Sequence, residues 1–257
     1  MLLCSKSIGE TTSEFASRVR IEHNIPDTSK VAACGKLDPQ ARGITRILYG
    51  SHTSQMPKYL QSNKTYEFNI AMGIATNSDD IMGNIIKIRP CTQADIDQVI
   101  LYMETVIKKL TIQQYHHISA IKIRKRPGKK RPLWYWYKLG LLEDADIPSK
   151  AVSVNALHYY GQYNVSMTSY IDGVRKRLGQ ITNRDMFNID TIESEWNTIQ
   201  TTDKMYGDET IPLLKYSITV SSGFYVRMIA KQIRKELHIP IHIFDINRTR
   251  VYDTSDT

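Results

Sequence analysis

The sequence reads as an α+β domain built around one mixed sheet, on three observations. Apolar residues alternate in steps of two at 64–72 and 216–220, the period of a strand with one buried face. They recur in steps of three and four at 96–110 and 226–237, the period of an amphipathic helix. Strands and helices follow one another in no strict βαβ order, which favours α+β.

Each element has its own warrant. Thr11-Thr12-Ser13-Glu14 has the form of a capping box, and Phe15 and Val19 lie one turn apart behind it, so a helix is predicted near 12–22. In KTYEFNIAM, Tyr66, Phe68, Ile70 and Met72 share a strand face with Lys64. The polar loop GIATNSDDIMGN leads to a second strand at IIKI. Thr92 is placed to cap a helix whose apolar face is Ile96, Val99, Ile100, Met103, Ile107 and Leu110; that face is core. A strand is expected at 151–160. Tyr216, Ile218 and Val220 run as a strand into Ser221-Ser222-Gly223, and Val226, Ile229, Ala230, Ile233 and Leu237 then mark a helix. The end, PIHIFDINRTRVY, reads as strand. The polar stretch 161–210 carries few apolar residues and reads as an insertion. There is no internal repeat.

Composition narrows the function classes. No apolar run approaches the ~18 residues of a membrane span. The first ten residues lack the long apolar stretch of a secretory signal, which makes the cytoplasm the expected compartment. Cys4, Cys34 and Cys91 are odd in number and far apart, which disfavours a disulfide framework and a Cys-rich zinc site. The 257 residues hold 34 Lys and Arg against 26 Asp and Glu, a net charge of +8. Seven of those cations (Lys122, Arg124, Lys125, Arg126, Lys129, Lys130 and Arg131) crowd into ten residues with no acid among them, leaving the rest of the chain almost balanced. Pro127 and Gly128 break the run, so it is a turn or loop and not a helix face. Trp134, Tyr135, Trp136 and Tyr137 follow. Cations beside rings suit RNA loops, whose phosphates meet the cations while unpaired bases stack. A solvated charge run or a nuclear targeting signal would look the same.

Two segments carry candidate chemistry. In Gly35-Lys36-Leu37-Asp38-Pro39-Gln40-Ala41-Arg42-Gly43, Pro39 drives Asp38 out of helical geometry, and flanking glycines permit a tight turn. Asp38 is thus a carboxylate on a bent loop, expected between a helix and a strand; an ordinary Asp-Pro turn has the same signature. Ser221-Ser222-Gly223-Phe224-Tyr225-Val226-Arg227 puts an arginine just inside a helix that follows a strand, which is also how a surface arginine would read.

Taken together and in order, these segments resemble the TruB family of pseudouridine synthases. Lys6-Ser7-Ile8-Gly9-Glu10-Thr11-Thr12 resembles the family's KPxGxTS, and GKLDPQARG its GTLDPxATG. Lys64-Thr65-Tyr66, then Gly73, Thr76, Asp80 and Gly83, resemble KxY…LGxxTxTxDxxG. Ser119-Ala120-Ile121-Lys122 resembles the SALK that opens an RNA-gripping thumb loop, and Gly128-Lys129-Lys130-Arg131 that loop's basic stretch. SSGFYVR resembles CSxGTYIR, and Ile246-Asn247-Arg248-Thr249 the closing LRRT.

The resemblance implies a pseudouridine synthase fold: a mixed, mainly antiparallel sheet in a single catalytic domain over 1–257, with a thumb-like loop at about 116–145. It implies an isomerase that breaks the N1–C1′ bond of a flipped uridine and rejoins C5 to C1′, with no cofactor and no metal. Asp38 maps to the catalytic aspartate, acting at the ribose as nucleophile or as base. Arg227 maps to the arginine that pairs with it, and Tyr66 to the tyrosine that stacks on the base. Lys64 would support the strand end or a phosphate, Leu37 and Ile246 would supply apolar walls, and the 122–131 run would hold RNA phosphates. His116 and His117 read as structural. The chain departs from the pattern at Ser7 for a proline, Ala33 for a base-flipping histidine, Arg42 for a threonine and Asn247 for an arginine. Arg175, Lys176, Arg177 and Arg184 in the 161–210 stretch are candidates for extra RNA contacts. No PUA domain is expected after the INRTR strand. The expectation is therefore a stand-alone monomer that needs no guide RNA and no membrane, acting on the TΨC-loop uridine in the T-arm of tRNA. Two other readings stay open: a decayed RNA-binding or tRNA-folding protein on the same fold, or a synthase acting on mRNA or another stem-loop.

Overall fold

The computed structural model describes residues 1–126, 128–202 and 210–253, with the side chains of 200–202 excepted. Pro127 and residues 203–209, the end of the polar stretch, lie outside the described residues.

The chain opens with β1 (Leu2–Lys6), α1 (Thr12–Glu22), β2 (Val31–Cys34), β3 (Arg42–Tyr49), α2 (Met56–Leu60), β4 (Lys64–Met72), β5 (Ile74–Thr76), β6 (Ile85–Ile88) and α3 (Gln93–Thr105). It continues with β7 (Ile112–Gln114), β8 (Lys122–Ile123), β9 (Arg131–Pro132), α4 (Leu133–Lys138), β10 (Ser149–Ala151) and β11 (Val154–Ser166). It closes with α5 (Met167–Leu178), α6 (Arg184–Phe187), α7 (Ile189–Thr202), β12 (Thr210–Val220), α8 (Arg227–Leu237) and β13 (Ile241–Val251). Among the described residues no helix is long and apolar enough to cross a membrane.

The main sheet runs β1-β3-β13-β4-β12-β11, with β2 paired to the free part of β3. Every pairing in it is antiparallel except β13 with β3. That one parallel contact, Asn247–Arg248 against Arg42–Gly43, joins the chain's last strand to the strand that follows Asp38. Gly43 permits it: at φ +118°, a Cβ there would strike the Arg248 backbone at 2.3 Å.

The two sheet faces are covered separately. Tyr66, Phe68, Ile70 and Met72 of β4 and Leu214, Tyr216, Ile218 and Val220 of β12 point one way and pack on α3 and α8. The alternate residues Ala71, Ile211 and Leu213 point the other way, onto α5 and α7. The polar stretch thus differs from its reading as an excursion. Its first six residues finish β11 in register with β12, and its helices bury Tyr170, Ile171, Val174, Ile192 and Trp196. The few apolar residues of the segment are spaced to fall on one helical face each. The expected strand at 151–160 also differs: β10 leaves to pair with β7, and β11 runs six residues further. As an edge strand, β11 is largely exposed, so its sequence shows no buried alternation there.

At the amino end the capping box forms, with Thr11 Oγ1 accepting from the Glu14 backbone and the Glu14 carboxylate accepting from the Thr11 backbone. Phe15 and Val19 then bury against Ile47 of β3. Thr92 and Asp95 form a second box at the start of α3.

Candidate active site

A cavity of about 270 Å³ opens where β4, the 35–41 loop, the 222–227 turn and the end of β13 meet. Asp38, Tyr66, Arg227, Lys64, Leu37 and Ile246, the six pocket residues expected from the sequence, all line it. Gly35, Tyr115, Ser119, Tyr225 and Arg248 line it as well. Asp38 is the only carboxylate among the described lining residues. Among the described residues, the cleft of about 380 Å³ at the far end of β4 is lined by no carboxylate, histidine or tyrosine, and burial pushes the thiol of its Cys91 up to about 11.

Asp38 sits in the loop between β2 and β3, not between a helix and a strand as expected: the short β2 intervenes after α1. The Lys6 ammonium, itself buried, gathers that loop. It donates to the carbonyls of Ser7 at 2.9 Å, Pro39 at 3.3 Å and Ala41 at 2.8 Å, while the Gly9 amide donates to Pro39 O. Burial pushes the ammonium down to about 8, against the pull of Glu10 and Asp38.

Arg227 is the first residue of α8 and is 4% exposed. Its Nε donates to Asp38 Oδ2 at 2.7 Å and lies 3.5 Å from Asp80 Oδ2. Its Nη1 donates to Ser78 O and its Nη2 to Ile118 O. Three segments distant in sequence therefore meet on one guanidinium, which leaves Asp38 a fixed carboxylate with its side chain 39% exposed toward the cavity. Burial opposes the Arg227 charge, but Asp38 and Asp80 more than offset it and hold the group above its ordinary range.

Asp79 and Asp80 stand behind Arg227; the sequence offered Asp80 only as a motif match without a role and did not single out Asp79. Burial raises the Asp80 carboxyl to about 6, and it accepts from Ser78 Oγ at 2.5 Å and the Met82 amide at 2.9 Å. Asp79, at φ +60° and fully buried, accepts from Arg234 Nη2 at 2.8 Å and pairs with His116 Nε2 at 2.9 Å. A left-handed aspartate is strained backbone held by its surroundings. His116 Nδ1 accepts the Ile118 amide, which leaves the ring proton on Nε2 toward Asp79. His116 and His117 stack at 4.3 Å and brace the backbone that Arg227 grips. The visible signal was the acidic pair inside GIATNSDDIMGN, whose polarity suggested only a loop.

Tyr66 lies opposite Ile218 on one side and Arg248 on the other, so both neighbours hold its ring in place. Lys64 donates to Leu60 O at 3.0 Å and Ser62 O at 2.5 Å, supporting the strand end. Ile246 lines the cavity while remaining part of the core.

The basic run stands apart. Lys122, Arg124, Arg126, Lys129, Lys130 and Arg131 are exposed around the short β8–β9 hairpin. Lys125 is tied back instead, donating to Leu141 O and pairing with Asp146 at 2.5 Å. Of the four aromatics beside the run, Trp136 is buried in α4 and unavailable for stacking, because the helix turns it inward with Leu133. Trp134 is exposed, and Tyr137 packs on His117 at 4.4 Å. Three of the four candidate cations of the polar stretch are engaged within the fold: Arg175 pairs with Asp172 at 3.1 Å, Arg177 with Asp245 at 3.0 Å, and Arg184 with Asp190 at 2.5 Å and Glu193 at 2.6 Å, while Lys176 is exposed. Arg42 also pairs with Asp245, on the sheet side away from Asp38. Among the described residues no group of three or more His, Cys, Asp or Glu is placed to hold a metal ion.

Comparison with known proteins places this geometry. The family profile of the TruB family pseudouridylate synthase N-terminal domain matches residues 23–137, which include Asp38 and Tyr66. The tRNA pseudouridine synthase B of Bacillus subtilis (strain 168) is 24% identical over 258 residues, covering 99% of this chain. Over those residues the chain is similar to the TruB family. The tRNA pseudouridine synthase B of Synechococcus sp. (strain WH7803) is 28% identical over 188 residues, covering 68% of this chain and 58% of its own length. The chain spans 64% to 66% of the length of the Bacillus relatives it matches. Its fold is similar to that of a chain in the crystal structure of a Cbf5–Nop10–Gar1 complex, with a TM-score of 0.50 at 14% identity over 96% of this chain and 47% of that one.

Proposed function

We propose that this protein is a tRNA pseudouridine synthase that isomerises a TΨC-loop uridine in the T-arm, acting without a guide RNA. One observation carries the reading: among the described residues a lone carboxylate, Asp38, faces a cavity with apolar and aromatic walls and two cations, Lys64 and Arg248, at its strand end, and it is pinned by a buried arginine. Hydrolysis of a glycosidic bond generally uses two carboxylates, one of them to activate water. An isomerase needs one and must keep water from the ribose. Leu37, Phe224, Val226 and Ile246 supply that apolar enclosure. Asp80, the nearest other carboxylate of the Arg227 cluster, is buried behind the guanidinium and lines no part of the cavity.

The target uridine leaves its stack, at a cost of a few kcal/mol, and its uracil lies on the Tyr66 ring. Asp38 acts at the ribose as the N1–C1′ bond breaks. The uracil turns, C5 bonds to C1′, and the proton on C5 departs to a base. Tyr66, on which the uracil lies, takes that proton. Arg227 keeps Asp38 aimed throughout. The exposed cations from Lys122 to Arg131 hold RNA phosphates and offset the flipping cost.

The names of the relatives support tRNA as the substrate. The test is to incubate the protein with unmodified tRNA transcript and map pseudouridine chemically. Wild type should convert one T-loop uridine. Asp38→Asn should bind the transcript without converting it. Absence of conversion on tRNA or any other stem-loop would instead establish an RNA-binding protein.

A further inference from the structure

At the strand end of the cavity, two cations lie inside the protein with no counter-charge. Lys64 is 5% exposed and Arg248 1%. Among the described residues neither forms an ion pair. Lys64 spends two of its three ammonium protons on the Leu60 and Ser62 carbonyls. Arg248 Nε donates to Ile44 O at 2.6 Å, and its Nη2 donates to Gly35 O at 3.3 Å and to Thr45 Oγ1. Carbonyls and a hydroxyl aim these groups but do not neutralise them. No hydrogen bond among the described residues uses Arg248 Nη1.

Both cations border one gap. A Cβ on Gly35 would lie 3.5 Å from Arg248 Nη1 and 3.8 Å from Lys64 Cε, and Gly35 has φ +87°, which an L side chain rarely adopts. All three residues line the cavity, so the gap opens into it. Burial, then Arg248, pushes the Lys64 ammonium down to about 8, and Lys150 and Arg46 add to the repulsion. Buried like charges are costly unless something of opposite sign meets them. Asp38, the lining carboxylate, is already committed to Arg227.

We propose that Gly35, Lys64 and Arg248 form an anion subsite that takes a backbone phosphate of the RNA next to the flipped uridine. The identity of the ligand rests on the uridine-isomerase reading; the charge imbalance stands without it. Three chain steps separate Gly35 from Asp38, at most about 10 Å, so a single nucleotide spans from subsite to carboxylate. The subsite sets the depth at which the nucleoside seats and brings C1′ to Asp38. It differs from the exposed basic run, which contacts RNA outside the cavity.

The test uses stem-loops with one neutral methylphosphonate, either 5′ or 3′ of the target uridine, bound at pH 7 to wild type and to Lys64→Gln. Each protein is scored by its own ratio of Kd for methylphosphonate over phosphate, so any general loss of stability cancels. Wild type should lose about tenfold at one of the two positions, the size of one charge-assisted hydrogen bond. Lys64→Gln should lose less than twofold there, and Asp38→Asn should keep the wild-type ratio. Equal losses in wild type and Lys64→Gln, or none in wild type, overturn the subsite. Conversion measured on the same RNAs separates the two readings. Pseudouridine without phosphate sensitivity removes the subsite and keeps the function. Sensitivity without pseudouridine keeps the subsite and removes the function. Melting in inorganic phosphate against chloride at equal ionic strength gives an RNA-free arm. Wild type should gain more than Lys64→Gln, and equal gains count against the subsite.

Discussion

The cavity around Asp38 and the basic hairpin at 122–132 are built on opposite terms. At the cavity Arg227 is held by Asp38, Ser78, Ile118 and Asp80, and the Asp38 loop by Lys6. In the hairpin most cations are exposed, with Lys125 the member tied to an acidic turn. Bond rearrangement needs one geometry, so its groups are buried and over-determined. Phosphate binding needs charge more than geometry, so its groups stay solvated and work through released counterions.

The most severe way to break that contrast is Asp38→Asn. We expect pseudouridine formation to fall by roughly 10³-fold or more, with transcript affinity unchanged within a few-fold; a matching loss in a binding assay would mean that Asp38 holds RNA and does not react. Arg227→Gln should lose activity and stability together. It leaves buried Asp80 without its cation, a change worth about 3–5 kcal/mol, so the melting temperature should drop sharply. A variant that melts like wild type but is inactive would confine Arg227 to orienting Asp38.

Asp80→Asn tests the buried side of the cluster through pH. The Asp80 carboxyl is raised to about 6 in the folded protein against an ordinary 3.8, so the folded state binds that proton more tightly than the unfolded state. Its contribution is therefore fully present below pH 4 and is lost as pH rises through 6, on the order of 3 kcal/mol. Denaturant midpoints across pH 4–7 should show this fall in wild type and a flatter profile in Asp80→Asn. The smallest expected effect on the fold comes from replacing Lys129, Lys130 and Arg131 with Gln. Stability should stay within about 0.5 kcal/mol. Affinity for the transcript should drop, and the slope of log K against log salt should lessen by about 2. An unaltered slope would reduce the hairpin to a solvated face.

The same contrast explains what could be read beforehand. Core elements declared themselves wherever one face is buried: the β4 alternation, the α3 repeat and both capping boxes stand where the residues put them. Residues 161–202 did not, because the edge strand β11 is wet on most of its length and α5 and α7 hide five or so apolar positions each among polar ones. Asp38, Tyr66 and Arg227 were legible through ordered motifs. Asp79, Asp80, Lys6 and Arg248 were not assigned roles, since a charge in a sequence carries no sign of its burial. Trp136 erred the other way: it stood beside the cations, yet α4 turned it into the core.

By itself the sequence determined the periodicities, the caps, the bent Asp-Pro loop and the concentration of charge in ten residues, because these are properties of neighbours along the chain. Only the tertiary structure decided which charges meet. Asp38 and Arg227 are 189 residues apart and bond at 2.7 Å. Lys64 and Arg248 come from strands paired across the sheet and face the same gap without a counter-ion. Burial changes what a charge needs, and burial is settled by packing between distant segments, which no local pattern records.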